Sequence, residues 1–327
     1  MKIDVVSGWI GLDEERWNAL LDRSKFPSVF LTWQWQRHWA QAFAPEQPLH
    51  LLSVTDDDGS RIGLLPLYEQ EPNMLRLLGG VDVSDYLDVI AAAGREEEVW
   101  HALLQHRMGQ SVEWDLHAIR AASATTSLVP ALAPAFNLHV ATTVEERCPV
   151  LSLPETWDEY LAGLSGKDRH ELRRKMRKLE RELPGTTVRS HDTAEGWDAA
   201  LTRFLDLHRL SKVGKARFMD EQMERFFRDA TGALALAGWA RLWFLEHEGA
   251  AAASFLCVEY AGWVGLYNSG FDPVHARLAP GIVLLAHVIR DAIDRRIPTF
   301  DFLRGEEPYK QGFGPVPEDL YQVSVRP

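Results

Sequence analysis

Apolar positions along this chain recur with two periods, and the switches between them mark out its elements. Residues 32–43, rich in Trp, read as a helix in which Trp35 and Trp39 stand one turn apart and pack inward. Residues 49–55 and 61–68 read as strands, with Asp56-Asp57-Asp58-Gly59 as the hairpin turn between them. A strand at 74–78, a helix at 96–107, a strand at 113–119, a helix at 125–137 and a strand at 138–144 follow, the alternation of an α/β unit. Cys148-Pro149-Val150-Leu151-Ser152-Leu153-Pro154 then interrupts the pattern with two prolines, which predicts an N-terminal domain over 1–148 and a C-terminal one over 149–327.

The second half begins with helices at 155–164, 168–183, 196–210 and 220–236, then strands at 241–246, 251–260 and 263–268. Residues 281–296 set Ile282, Leu285, Ala286, Ile289 and Ile293 on one helical face. Thr299-Phe300-Asp301-Phe302-Leu303 alternates as a short strand, whose end opens through Arg304-Gly305 into a dense group of ionisable side chains. Both halves run from helices to a hairpin built on Gly (Asp56 to Gly59, Glu248-Gly249) and on to an Asp-bearing turn, without a clear residue-level repeat.

At 327 residues, with 46% hydrophobic and 25% charged content, the chain can bury two cores of ordinary size. Acidic residues outnumber basic ones, 47 to 35, for a formal charge of −12, which disfavours non-specific nucleic-acid binding while leaving room for a local basic patch. Cys148 and Cys257 are too few for a disulfide framework or a four-Cys zinc site, and H-E-x-x-H and C-x-x-C are both missing, so no metal is expected. No apolar h-region or small-residue cleavage site follows Met1-Lys2-Ile3-Asp4, and the apolar run at 279–289 is too short for a bilayer and is broken by His287, so no signal peptide and a cytoplasmic address without membrane attachment are expected.

Candidate chemistry gathers at three places. The stretch from Asp301 to Lys310 lies off the carboxyl end of a strand, where open α/β sheets place ligands; the plainer reading is a buried strand followed by a solvated polar loop, with Tyr309 and Phe313 as packing anchors. Arg277-Leu278-Ala279-Pro280-Gly281 leads into a helix N-terminus, whose free N–H groups and dipole suit a phosphate; the plainer reading is an ordinary helix start with Pro280 ahead of it. Arg169, Arg173, Arg177 and Arg181 recur every four residues beside an apolar stripe of Leu172, Met176, Leu179 and Leu183; they form either a phosphate-gripping ridge or a solvated face with Glu171, Glu180 and Glu182.

The strings Phe30-Leu31-Thr32-Trp33-Gln34-Trp35, Leu65-Pro66-Leu67, Ser84-Asp85-Tyr86-Leu87-Asp88, the run 167–181, Tyr267-Asn268-Ser269-Gly270-Phe271-Asp272, Pro280-Gly281 and above all Asp301-Phe302-Leu303-Arg304-Gly305-Glu306-Glu307-Pro308-Tyr309-Lys310 resemble the Fem-like, CelD-type branch of the GNAT acyltransferase superfamily. The resemblance implies an α/β (α+β) fold of two tandem GNAT-like domains, each a mixed, mostly antiparallel sheet flanked by helices. It implies an N-acyltransferase that moves an acyl group from acyl-coenzyme A or acyl carrier protein to an amine by direct attack, with acyl-coenzyme A as co-substrate.

Such a transfer needs a proton acceptor for the amine, stabilisation of the oxyanion and a proton for the departing thiolate. Asp301, Glu306 or Glu307 would serve first, Lys310 second, and Tyr309 third. Tyr267 and Asn268 would pair with the donor's pantetheine arm, and Arg277, Leu278, Ala279 and Gly281 would hold its pyrophosphate, although of the family's Q/R-x-x-G-x-G/A loop only Arg277 and Gly281 survive. Asp85, Tyr86, Arg173, Arg177 and Arg304 would contact the acceptor. Two alternatives stay open: a Fem-like aminoacyltransferase drawing on aminoacyl-tRNA, and a non-catalytic accessory protein of exopolysaccharide synthesis.

Overall fold

The structure, a computed structural model, describes residues 1–6, 8, 9, 12–305 and 307–327. They form two units, Met1–Arg147 with Glu318–Pro327, and Cys148–Pro317. In the first, β1 (Lys2–Val6), β2 (Leu49–Thr55), β3 (Arg61–Glu71), β4 (Met74–Leu77), β6 (Glu113–Arg120) and β13 (Val316–Arg326) lie side by side in that order, with β5 (Ile90–Ala91) on β3 and the first residues of β7 (His139–Ser152) next to β13. Four helices flank them: α1 (Glu14–Asp22), α2 (Trp33–Phe43), α3 (Glu96–Arg107) and α4 (Thr125–Leu132).

Local chemistry explains the best-defined pieces. The β2–β3 turn forms because Asp56 Oδ1 accepts from the amides of Asp58 (3.1 Å) and Ser60 (2.9 Å) while Gly59 takes φ +81°. Helix α2 starts where the Thr32 hydroxyl caps the Trp35 amide at 3.3 Å, and it buries Trp33, Trp35 and Trp39.

The second unit repeats the plan with other residues. The last residues of β7, then β12 (Thr299–Asp301), β11 (Trp263–Phe271), β10 (Ala250–Tyr260), β9 (Ala240–His247) and β8 (Thr187–His191) are neighbours in that order. Its helices are α5 (Trp157–Gly163), α6 (Gly166–Glu182), α7 (Trp197–Ser211), α8 (Val213–Phe218), α9 (Glu221–Leu236), α10 (Pro280–Asp294) and α11 (Pro308–Gln311). Among the described residues each unit shows a parallel join, three residue pairs long: Met74 to Arg76 on Glu113 to Asp115, and Trp263 to Gly265 on Thr299 to Asp301. A parallel join needs a crossover, and α3 and α10 supply it. The strands of each unit are thus mixed and mostly antiparallel, as the resemblance implies.

Helix α10 fixes the frame of the second unit. Leu284, Leu285, Ala286, Ile289 and Ile293 are buried in one cluster with Phe255, Cys257, Phe300 and Phe302. Each of these Leu and Ile side chains contributes about 1.5–3 kcal/mol of burial.

Several expectations change in detail. The strand expected over 138–144 is longer, since β7 continues through Pro149 to Ser152. The helix expected over 125–137 is α4 followed by a 3-10 turn at Ala133–Phe136, with Pro130 inside the helix and Pro134 at the start of the turn. The strand expected to reach Leu303 stops at Asp301, since Leu303 takes the left-handed φ of +55°.

Candidate active site

Strands β11 and β12 stay paired only as far as Gly265 and Asp301, after which β12 ends and β11 runs on through Phe271. A bulge enters β11 just beyond the parting: Cys257 faces Leu266 and Leu256 faces Asn268, which leaves Tyr267 as the extra residue. Farther along, side chains bond the main chain. The Ser269 amide donates to Asn268 Oδ1 (3.2 Å), and the Ser269 carbonyl accepts from His208 Nδ1 (3.0 Å) and from the Lys215 ammonium. The Phe271 amide donates to Ser211 Oγ (2.7 Å), whose single proton is shared between the Leu207 carbonyl (2.7 Å) and the Phe271 carbonyl (3.2 Å). Helix α7 can come this near because residue 270 is Gly; a Cβ there would lie 2.6 Å from His208 N.

The turn after β12 is held from within. Asp301 is 2% exposed and its Oδ1 accepts from the Leu303 amide at 2.7 Å, which closes the tight bend. Lys310, 3% exposed, aims its ammonium at the carbonyls of Phe302 (3.2 Å), Leu303 (3.5 Å), Arg304 (3.0 Å) and Gly305 (2.8 Å), and pairs with Glu307 Oε2 at 2.7 Å. Three protons meet five acceptors, so this cation organises the turn and has no donor left for an oxyanion. Glu306 lies outside the described residues. Arg304 is partly buried in the same turn.

Glu307 and Tyr309 face outward. Burial works to raise the Glu307 pKa and is outweighed by the hydrogen bond and charge of Lys310 and the charge of Lys215, so the carboxyl sits below the ordinary glutamate value and is ionised. Burial of the Tyr309 hydroxyl, and then the Glu307 charge, push the phenol above its ordinary value, so it is protonated at neutral pH. The Tyr309 residue as a whole keeps 38% of its surface exposed. It lines an open cleft of about 320 Å³ with Asp168, Glu171, Leu172 and Lys175 of α6, Ile282 of α10, and Phe313.

The start of α10 is less open than its sequence suggests. Ala279 takes φ +50°, its carbonyl accepts from the amides of both Ile282 (3.0 Å) and Val283 (3.3 Å), and Pro280 has no N–H, which leaves the Gly281 amide. A Cβ on Gly281 would meet nothing within 4 Å, so that face is free. Leu278 is buried and anchors the preceding turn, while the Arg277 carbonyl accepts from Lys178 at 3.0 Å and its guanidinium pairs with Glu182 at 3.5 Å.

The ridge on α6 divides in the same way. Arg169 donates to the carbonyls of Leu161 (3.2 Å), Ala162 (3.3 Å) and Leu164 (3.4 Å) and so finishes the end of α5, whereas Arg173 and Arg177 are exposed. The Tyr267 ring rests on Phe227 at 5.6 Å, with Asn268 beside it on the strand. Asp85 and Tyr86 belong to the first unit and are buried; Tyr86 takes φ +56° beneath the Arg120 guanidinium, 4.0 Å from its ring centroid.

No local signal in the sequence marks His208 and Lys215, since their shared partner Ser269 is 61 and 54 residues away. A carbonyl only accepts, so His208 carries its proton on Nδ1; the buried Nε2 has no hydrogen-bond partner among the described residues. Burial, then the Lys215 charge, bring His208 down to about 4. Among the described residues no three His, Cys, Asp or Glu side chains gather as a metal site, and no helix is long and apolar enough to cross a membrane.

Residues 166–311, from the first residue of α6 to the last of α11, match the family profile described as Acetyltransferase (GNAT) domain. The fold is a Fem-like GNAT fold. Among solved structures, FemX is similar over 98% of this chain and 97% of its own at 11% identity, with a TM-score of 0.66. L-PGS from Bacillus licheniformis is similar over 96% and 92% at 13% identity, TM-score 0.61. A tandem GNAT protein from the clavulanic acid biosynthesis pathway covers 98% of both chains at 13% identity, TM-score 0.50. No curated protein matches by sequence. In GNAT terms the parted strands, the α10 start and the Tyr309 turn all lie in the second unit.

Proposed function

We propose that the second unit is an N-acyltransferase that passes an acyl group from a thioester, carried on coenzyme A or acyl carrier protein, directly to an amine. The parting of β11 from β12 supports this most, because past Gly265 it frees β11 from its sheet partner, and the turn that follows the end of β12 carries an ionised carboxylate and a protonated phenol. An amide-containing arm pairs naturally with such an edge. The acyl carbonyl lies near Tyr267 and Asn268, and the donor's phosphates lie at the Gly281 amide and Arg277.

The amine nitrogen attacks the thioester carbon, and Glu307 takes its proton as the C–N bond forms and the nitrogen becomes acidic. The C–S bond then breaks, and Tyr309 gives its proton to the thiolate. Lys310 and Asp301 keep the turn that presents these two groups, while Arg304, Arg173 and Arg177 flank the acceptor's approach. A positioned proton donor is worth about 10²–10⁴ in rate, so Tyr309→Phe should lose that factor with unchanged circular dichroism. Titration calorimetry of the full chain with acetyl-coenzyme A tests the donor; an absence of heat with any thioester refutes it.

A second reading replaces the thioester with an aminoacyl-tRNA ester. The exposed Arg173 and Arg177 and the single free amide at the α10 start favour it. Band shifts with charged tRNA should then weaken steeply with salt, by a log–log slope of about −0.7 for each single-strand phosphate neutralised. A flat salt dependence excludes this donor.

A further inference from the structure

Two lysines stand beside the parted strands, and they are held differently. Lys310 is ringed by four carbonyls and paired with Glu307. Lys215, on α8, donates to the Ser269 carbonyl and, at 3.0 Å, to the Ser269 hydroxyl. Both partners are neutral, and no carboxylate pairs with it among the described residues. Burial and then the Lys212 charge bring Lys215 down to about 8, against the opposing pull of Glu307; His208, which shares the same carbonyl, is neutral at that pH. About one molecule in ten therefore carries the free amine at pH 7. That amine sits on the length of β11 that has no strand partner on this side past Gly265, where side chains of α7 and α8 bond the main chain instead.

We propose that Lys215 is a self-acylation site, at which the protein accepts the acyl group of a thioester lying along β11. This rests on the donor reading above. The neutral Nζ attacks the thioester carbon, the C–N bond forms, and the C–S bond breaks. The nitrogen's surplus proton passes through Glu307 or water to the departing thiolate, leaving a neutral amide and a free thiol. The product has lost its charge and all but one donor, so the bonds that tie α8 to Ser269 weaken. Acylation thereby alters the strand edge that the donor itself uses.

The full chain is tested in two arms, read by peptide mass mapping. Trace labelling with acetic anhydride needs no bound donor: Lys215 should react roughly tenfold or more faster than Lys310, out of a neutral fraction about 10²-fold above that of an ordinary lysine, with an inflection near pH 8. Incubation with acetyl-coenzyme A should place one acetyl group on Lys215, and none on Lys215→Arg. Lys215 reacting no faster than Lys310 with anhydride overturns the proposal whatever the thioester does. Calorimetric binding of acetyl-coenzyme A with Lys215 left unlabelled overturns self-acylation while the donor reading stands. No binding and no labelling overturns both.

Discussion

Replacing Lys310 with Met separates a structural cation from a catalytic one. In the native turn the ammonium answers the carbonyls of residues 302–305 and the Glu307 carboxylate at 2.7 Å. Removing one partner of a buried pair costs about 3–5 kcal/mol, but the Glu307 side chain is 52% exposed and water takes over much of its share. What remains is the desolvated carbonyls, each costing about 1–3 kcal/mol if left without a donor, softened where the turn can open to water. We take about 3 kcal/mol as the net loss. For a unit the size of Cys148–Pro317, 1 kcal/mol moves Tm by about 2–4 °C, so Lys310→Met should melt about 6–12 °C lower. A chain of two units need not melt in one step, so the assay is scanning calorimetry combined with hydrogen exchange on the peptide spanning 299–313, where lost protection should concentrate. A Tm within about 2 °C of the parent, together with abolished transfer, would show that the charge serves the reaction and not the turn.

Gly270→Ala drives a Cβ to 2.6 Å from His208 N, so α7 must shift; we expect about 1–3 kcal/mol of destabilisation by urea titration and a Lys215 that labels like an ordinary lysine. In the first unit His117 donates to Asp115 and Glu145, each at 2.8 Å, and although burial opposes it these carboxylates raise its pKa to about 9. A raised folded pKa gives stability that is complete below pH 6.5 and lost as pH climbs through 9, so the gap between parent and His117→Gln, up to about 3 kcal/mol, should close over that window; a constant gap would refute the assignment. Burial raises the Asp88 carboxyl to about 6 despite its bonds to Ser123, Thr125 and the Val89 amide. Its contribution is complete below pH 3.8 and lost as pH rises through 6, so Asp88→Asn should gain stability relative to the parent between pH 4 and 6 and level off above.

What the sequence reveals is what neighbours in the chain decide. The Asp56 turn and the apolar face of α10 are set by residues a few positions apart, and they stand where periodicity puts them. Strand β13 escapes because Pro315 and Pro317 interrupt its start and its partner β6 lies some two hundred residues upstream. The Asp301–Lys310 string is visible as a concentration of charge, yet which groups turn inward depends on Leu303 adopting φ +55°, and nothing about leucine announces that. Lys215 reads as one more basic residue until α7 and β11 are brought together at Gly270.

The same strand plan occurs twice, and its two parallel joins end differently, which decides where a donor can lie. In the first unit β4 stops at Leu77, and the chain beyond it is sealed: Gln36 Nε2 donates to the Leu78 carbonyl at 3.0 Å, the Ser84 hydroxyl to the Gly79 carbonyl at 2.6 Å, and a Cβ on Gly80 would strike Trp39 at 2.6 Å. In the second unit β11 continues past its partner to Phe271, and its edge is bonded by side chains of α7 and α8, which can let go without dismantling a sheet. Among the described residues it is therefore the second join that offers an extended ligand a strand to pair with. A photoreactive acyl-coenzyme A analogue should label peptides between residues 263 and 313 and be competed off by coenzyme A. Competable labelling confined to Met1–Arg147 would place the donor on the wrong join and refute this reasoning.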